Sequence, residues 1–157
     1  MEIERKYLVP QAPDDVDAHP STVIEQGYLA IHDDGTEVRI RRRDGASTMT
    51  VKSSGGRTRA EEELELDDAT FERLWPLTEG RRIEKVRHVI PTDTPGVEIE
   101  LDTYGGDLDG LVVAEVEFRG EAEADAFEAP GWLGREVTDD KGFKNQRLAV
   151  HGRPDEA

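Results

Sequence analysis

Met1-Glu2-Ile3-Glu4-Arg5-Lys6-Tyr7-Leu8-Val9 alternates charged and apolar side chains from the second residue on. Along a β-strand successive side chains point to opposite faces. Glu2, Glu4 and Lys6 therefore share one face, and Ile3, Arg5 and Tyr7 the other. Two carboxylates and an ammonium in a row make a poor core surface but a good start on a site for a divalent cation and an anion. A solvated strand face explains the same pattern, and with 36% of residues charged, Glu-x-Glu-x-Lys also arises by chance. The later strands have to decide.

The chain of 157 residues is long enough for one domain with a sizeable core, expected over residues 1–151 with a frayed tail at 152–157. Short alternating runs of Val, Ile and Leu argue for a folded chain rather than an acidic disordered one. No apolar run approaches the ~20 residues of a membrane span, and the charged start lacks the apolar stretch of a signal peptide. Cysteine is absent, which excludes disulfides and thiolate metal sites and fits the expected cytoplasmic location. A net charge of −16 argues against duplex nucleic acid or an anionic membrane as partner. Only five cations are lysine (Lys6, Lys52, Lys85, Lys141, Lys144), so these positions are candidates for work that needs a compact ammonium.

In chain order, strands are expected at 23–31, with Gln26 and Tyr28 on one face, and at 36–42, with Glu37, Arg39 and Arg41 aligned. A strand over 47–52 aligns Thr48, Thr50 and Lys52, and one over 59–66 aligns Arg59, Glu61, Glu63 and Glu65. Asp67 or Asp68 caps a short helix that Pro76 stops. Further strands follow at 82–90 (Lys85, Arg87), 97–103 (Glu98, Glu100, Asp102) and 112–119 (Glu115, Glu117, Arg119). A second short helix spans 122–128 and a terminal one starts at Phe143. With the first strand this makes about eight, joined mostly by hairpin-length turns.

Almost every strand has one apolar and one ionised face, while the short helices carry apolar sides that need a sheet to cover. Two arrangements satisfy this. In one, apolar faces point outward to the helices and charged faces line a wet cavity; in the other, a sandwich leaves its charged faces in solvent. Charge alternation is compatible with both. Buried without partners, so many charges would cost several kcal/mol each, whereas a phosphate chain with divalent metal and water would satisfy them.

The ordered set of motifs resembles the CYTH group of the triphosphate tunnel metalloenzymes, in its bacterial short form. The set is Glu2-x-Glu4-x-Lys6, Glu37-x-Arg39-x-Arg41, Thr50-x-Lys52, Arg59-x-Glu61-x-Glu63-x-Glu65, Lys85-x-Arg87, Glu98-x-Glu100-x-Asp102 and Ala114-Glu115-Val116-Glu117-Phe118. The tail from Trp132 to Thr138, with Asn145 and Leu148, completes it. The resemblance implies a mainly-β α+β fold: an eight-stranded antiparallel closed barrel with a charged lumen and a few short helices packed outside. It implies Mg²⁺ or Mn²⁺ held chiefly by Glu2, Glu4, Glu115 and Glu117, with Glu61, Glu63 and Glu100 as outer or second-metal ligands. Arg39, Arg41, Lys52, Arg59 and Arg87 would grip phosphate oxygens. Lys85 would bind the phosphate chain and protonate the leaving group, and Lys6 with Tyr28 resembles the lysine–tyrosine pair of the short forms.

The expected activity is metal-dependent hydrolysis of a triphosphate, inorganic triphosphate first among candidates, by a monomer or homodimer. Adenylate cyclase, thiamine triphosphatase and a non-catalytic polyphosphate-binding module remain as alternatives. Phosphoryl transfer needs alignment and charge neutralisation more than covalent chemistry, which guanidinium forks and lysines supply. His19, His32, His88 and His151 lack zinc spacing and are expected to be structural or superficial. Lys141 and Lys144 suit either a lid or the surface.

Overall fold

The computed structural model describes residues 3–53 and 60–154. Glu2 and Arg59, both expected at the site, lie outside the described residues. The strands are β1 (Ile3–Leu8), β2 (Ser21–Ile31), β3 (Glu37–Arg43), β4 (Ala46–Lys52), β5 (Glu61–Leu66), β6 (Arg82–Pro91), β7 (Glu98–Tyr104) and β8 (Val112–Phe118). The helices are α1 (Asp68–Leu74), α2 (Glu121–Ala126) and α3 (Asn145–His151). Strand and helix positions follow the alternation and capping signals closely. Asp67 caps α1, accepting from the Thr70 N–H at 2.7 Å. Pro76 ends the α-helix but not the coil of the chain, which continues as a tighter turn over Trp75–Thr78. Asp44 (φ 52°) and Gly45 (φ 74°) form the two-residue turn between β3 and β4, where both positive φ values match the twist of the hairpin.

The chain groups into two compact units, Met1–Thr22 with Lys85–Lys141, and Val23–Glu84 with Gly142–Ala157. In the first the ladder order is β1-β8-β7-β6; in the second it is β2-β3-β4-β5, and these neighbours pair antiparallel. β1 and β5 are the edges of an eight-stranded sheet, so among the described residues the sheet is open and the expected closed barrel is not formed. Both edges are already managed. The outer edge of β1 is taken by the tail: Leu8 N–H donates to Arg135 O at 2.9 Å, Gly134 N–H to Leu8 O at 2.7 Å and Val137 N–H to Lys6 O at 2.8 Å. β5 exposes Glu61, Glu62, Glu63 and Glu65, whose like charges discourage any further strand.

The apolar faces carry the helices. In the first unit Tyr7, Val9, Ile99, Leu101, Val116 and Phe118 form one cluster with Ala124 of α2, and Phe127 and Trp132 pack on it. In the second unit α1 lies on β4; its buried Phe71 stacks on Trp75 at 5.2 Å and lies under the Arg42 guanidinium. The tail staple on β1 leaves no room for a side chain at Gly134, where a Cβ would sit 2.8 Å from Leu8 O and 2.8 Å from Pro10 Cδ. Gly134→Ala should therefore cost about 1–3 kcal/mol by overpacking, seen as a lower melting temperature together with faster amide exchange at Leu8 and Val137.

Candidate active site

Register sets the ionised face of the first unit. Glu4 stands opposite Glu117 and Lys6 opposite Glu115 across β1 and β8. Glu115 in turn faces Glu100 on β7, and Asp102 faces Arg87 on β6. Lys6 Nζ lies 3.4 Å from Glu115 Oε1. Arg87 makes a fork to Asp102, with Nε 2.7 Å from Oδ1 and Nη2 2.9 Å from Oδ2, while its Nη1 reaches Glu100 Oε2 at 2.7 Å. Lys85 Nζ is 2.9 Å from Asp102 Oδ2, and both side chains are fully buried.

These contacts set the protonation states. Burial opposes the charge of Asp102, but Lys85 and the Arg87 fork outweigh it and hold the carboxyl below the usual carboxylate range. Burial likewise opposes the Arg87 charge, yet its bonds to Asp102 and the Glu100 carboxylate raise its pKa. For Lys85 burial wins over the pull of Asp102, and the Arg87 charge acts in the same direction, so the ammonium is brought below the ordinary lysine value. Among the described residues its ion pair with Asp102 falls outside hydrogen-bond geometry and Nζ has no other acceptor. A buried lysine that gives up its proton more readily suits a ligand oxygen and a leaving group.

Glu4 and Glu117, directly opposed, are both exposed, and Glu100 faces Glu115 beside them. Like charges across a ladder are unfavourable, and an all-oxygen donor set of this kind fits a hard divalent cation. Among the described residues no group of three or more His, Cys, Asp or Glu side chains is gathered tightly enough to hold a metal. Glu61 and Glu63, expected as outer ligands, are exposed on the edge strand of the second unit, apart in membership from Glu4, Glu100, Glu115 and Glu117.

The second unit has its own ionised face. Gln26 stands opposite Arg41, Tyr28 opposite Arg39, and Glu37 opposite Lys52. A register shift after Tyr28 gives β2 one extra residue at Leu29, a bulge of the kind that re-aims side chains. Arg41 Nε donates to Gln26 Oε1 at 2.7 Å, and Gln26 Nε2 donates to the Tyr28 hydroxyl at 2.6 Å. Burial pushes the Tyr28 phenol well above the ordinary tyrosine value, and the Glu37 charge adds to this. Arg39 Nε and Glu37 Oε2 are buried without hydrogen-bond partners among the described residues.

Alternation placed these groups but did not show their weight. Asp102, legible only as one of three aligned carboxylates, is the one on which Lys85 and Arg87 both depend. Gln26 was legible only as a face-mate of Tyr28. Arg5, assigned to the other face of β1, bonds Glu136 at 2.7 and 3.0 Å and the Ala124 carbonyl at 2.9 Å, so it anchors the strand that carries Glu4 and Lys6. Lys141 and Lys144 are both exposed.

Arginine and lysine side chains stand beside carboxylates on antiparallel ladders backed by short helices. The chain matches the CYTH domain over residues 1–147, and it belongs to that family. It is 46% identical over 152 residues to an inorganic triphosphatase of Nitrosomonas europaea, covering 95% of this chain and 97% of that one. It is 35% identical over 153 residues to an inorganic triphosphatase of Acetivibrio thermocellus, covering 94% and 92%. A crystal structure of the inorganic triphosphatase NE1496 matches with a TM-score of 0.78 at 42% identity, covering 98% of this chain and 97% of that chain.

Replacing Asp102 tests the buried cluster. Asp102→Asn leaves two buried cations without their shared carboxylate and should destabilise the protein by roughly 3–5 kcal/mol. The sign of the pH effect follows from the lowered pKa of Asp102 in the folded protein. Its contribution is complete above about pH 4, the unfolded value, and is lost as pH falls through the lower folded one. Denaturant melts between neutral and acid pH should show this acid limb in the wild type and a flatter one in Asp102→Asn.

Proposed function

We propose that this protein hydrolyses inorganic triphosphate to pyrophosphate and phosphate with a divalent metal, Mg²⁺ or Mn²⁺. The observation that carries the reading is Lys85, fully buried, its pKa lowered, and held beside Arg87 by Asp102. The similarity to two inorganic triphosphatases along nearly the whole chain supports the substrate. In this reading Lys85 contacts the phosphate chain and gives its proton to the departing oxygen. Arg39, Arg41, Lys52 and Arg87, with Arg59, bind phosphate oxygens, the guanidinium groups as forks and the lysine as a point charge.

Glu4, Glu115 and Glu117 are the principal metal ligands in this reading, with Glu2 as the fourth and Glu100, Glu61 and Glu63 in outer roles. When bound, the ion supplies charge neutralisation at the phosphate oxygens. Lys6 bonds Glu115 and so ties the metal-binding row to the phosphate-binding one. No described helix is long and apolar enough to cross a membrane, and a cytoplasmic location suits a cysteine-free enzyme acting on a small soluble anion.

Purified protein should release phosphate from triphosphate faster than from ATP or thiamine triphosphate, with Mg²⁺ or Mn²⁺ required. Absence of phosphate release from triphosphate with either metal overturns the proposal, and cyclic AMP from ATP would replace it with cyclase activity. Two variants separate the roles. Lys85→Ala should lower kcat about a hundredfold or more, in line with loss of a general acid, while triphosphate binding changes less. Glu115→Gln should chiefly raise the metal concentration needed for half-maximal rate. Unchanged kinetics in both would place the site elsewhere.

A further inference from the structure

We infer that Gln26, a residue with no assigned role, is a positioning residue that fixes the Tyr28 hydroxyl as a hydrogen-bond donor to the phosphate ligand and aims Arg41 at the same ligand. The inference rests on the proposed triphosphatase reading and adds to it how one tyrosine and one arginine are set.

The direction of the hydrogen bonds follows from what each group can do. Arginine Nε has a proton and no lone pair to accept with, so the amide atom facing Arg41 at 2.7 Å must be the carbonyl oxygen. The amide nitrogen then necessarily faces the Tyr28 oxygen, 2.6 Å away, and donates to it. That settles the amide orientation by chemistry rather than by appearance. With Gln26 donating into one side of the phenol oxygen, the hydroxyl proton is turned to the other side, since it lies in the ring plane and has two preferred positions. Gln26 and Tyr28 are essentially without solvent access, so no bulk water scrambles this polarity.

The same bond fixes the Nε of Arg41. Tyr28 and Arg41 thus belong to one hydrogen-bonded network, on a face that also carries Arg39 and Lys52. The elevated pKa of the buried phenol keeps its proton in place, as a donor requires and a base does not. Glu37 is the carboxylate whose charge bears on the phenol, and its buried Oε2 takes no hydrogen bond among the described residues, so it is the rival acceptor that the test has to exclude.

Gln26→Glu tests the polarity while preserving shape. A carboxylate still accepts from Arg41 Nε but also accepts from the phenol, drawing the hydroxyl proton away from the ligand. The expected result is a fall in kcat for triphosphate of about ten- to a hundredfold, the worth of one hydrogen bond to a charged group, with KM little changed. Tyr28→Phe should lose a similar factor, and Gln26→Glu in the Tyr28→Phe background should lose nothing more. An equal loss from Gln26→Glu in both backgrounds would mean that Gln26 only fills space. No loss from Tyr28→Phe would mean that Glu37 takes the proton. Either result overturns the inference.

A measurement on the unsubstituted chain covers the case in which Gln26→Glu fails to fold. The tyrosine Raman doublet, isolated as the difference between wild type and Tyr28→Phe, reports whether the phenol donates or accepts. Donor character should rise when triphosphate is added without metal, and an unchanged doublet overturns the inference. Should the wild type bind triphosphate without releasing phosphate, the hydrolytic reading fails alone. The same cycle, followed by calorimetry as triphosphate affinity, then decides the polarity.

Discussion

Asp102 is the carboxylate around which the ionised face of the first unit is assembled. It has no solvent access; it accepts the Arg87 fork and is ion-paired with the Lys85 ammonium. One negative charge for two positive ones leaves an excess that other groups must meet. Glu100 meets part of it at the third nitrogen of Arg87. Lys85 shares with Arg87 an oxygen of Asp102, and burial, helped by the Arg87 charge, lowers its pKa more than Asp102 raises it. Removing either cation would leave the burial of the Asp102 charge less fully offset, and removing Asp102 would strand both cations. A buried group of this kind is weak evidence for stability, since apolar residues would fill the space at lower cost. Its retention makes more sense as preparation for an anion, whose charge completes what the carboxylates leave undone.

Such an assembly needs its strands held in register, because a slip of one residue would turn every charged side chain to the wrong face. β1 is the strand most in need of this. It is short, it lies at the sheet edge, and it carries Glu4 and Lys6 close to the chain start. The tail supplies the constraint twice over. Backbone bonds from 134–137 close its outer edge, and Arg5 clamps Glu136 while lying over the Tyr7 and Phe127 rings at 5.5 and 6.0 Å. The residues that look like mere packing on the reverse of β1 thus determine where its ionised side chains stand.

Strand positions, helix caps and the sorting of residues onto faces were readable from the sequence because each depends on neighbours in the chain. The alternation that placed Lys85 with Arg87, or Glu115 with Glu117, survives into the ladder register unchanged. Closure was not readable in this way. Whether an edge strand pairs with another strand, with a tail or with nothing is decided by long-range competition for its N–H and C=O groups. The tail motif from Trp132 to Thr138 carried the answer for β1, but its sequence offers no strand alternation to announce it. Burial was equally hidden. Glu98, Glu100 and Asp102 read as three equivalent carboxylates on one face, yet Glu98 is exposed, Glu100 half-buried and Asp102 sealed. Gln26 could be placed beside Tyr28, but the bond polarity that gives it a role required Arg41 to be seen across the pair.

The overall charge of −16 and an anionic substrate are reconciled by distance. Surface carboxylates such as those of β5 act through solvent, where their fields fade over about 8 Å at physiological ionic strength. Lys85 and Arg87 act from the interior, where less water screens them and a contact charge is felt several times more strongly than at the surface. A small, highly charged anion that reaches the buried cations therefore gains more from them than it loses to the acidic exterior. An extended polyanion such as a nucleic acid meets the exterior along its whole length and reaches few of the buried groups. The acidic surface and the buried cations then favour the same class of ligand, one that is compact and dense in charge.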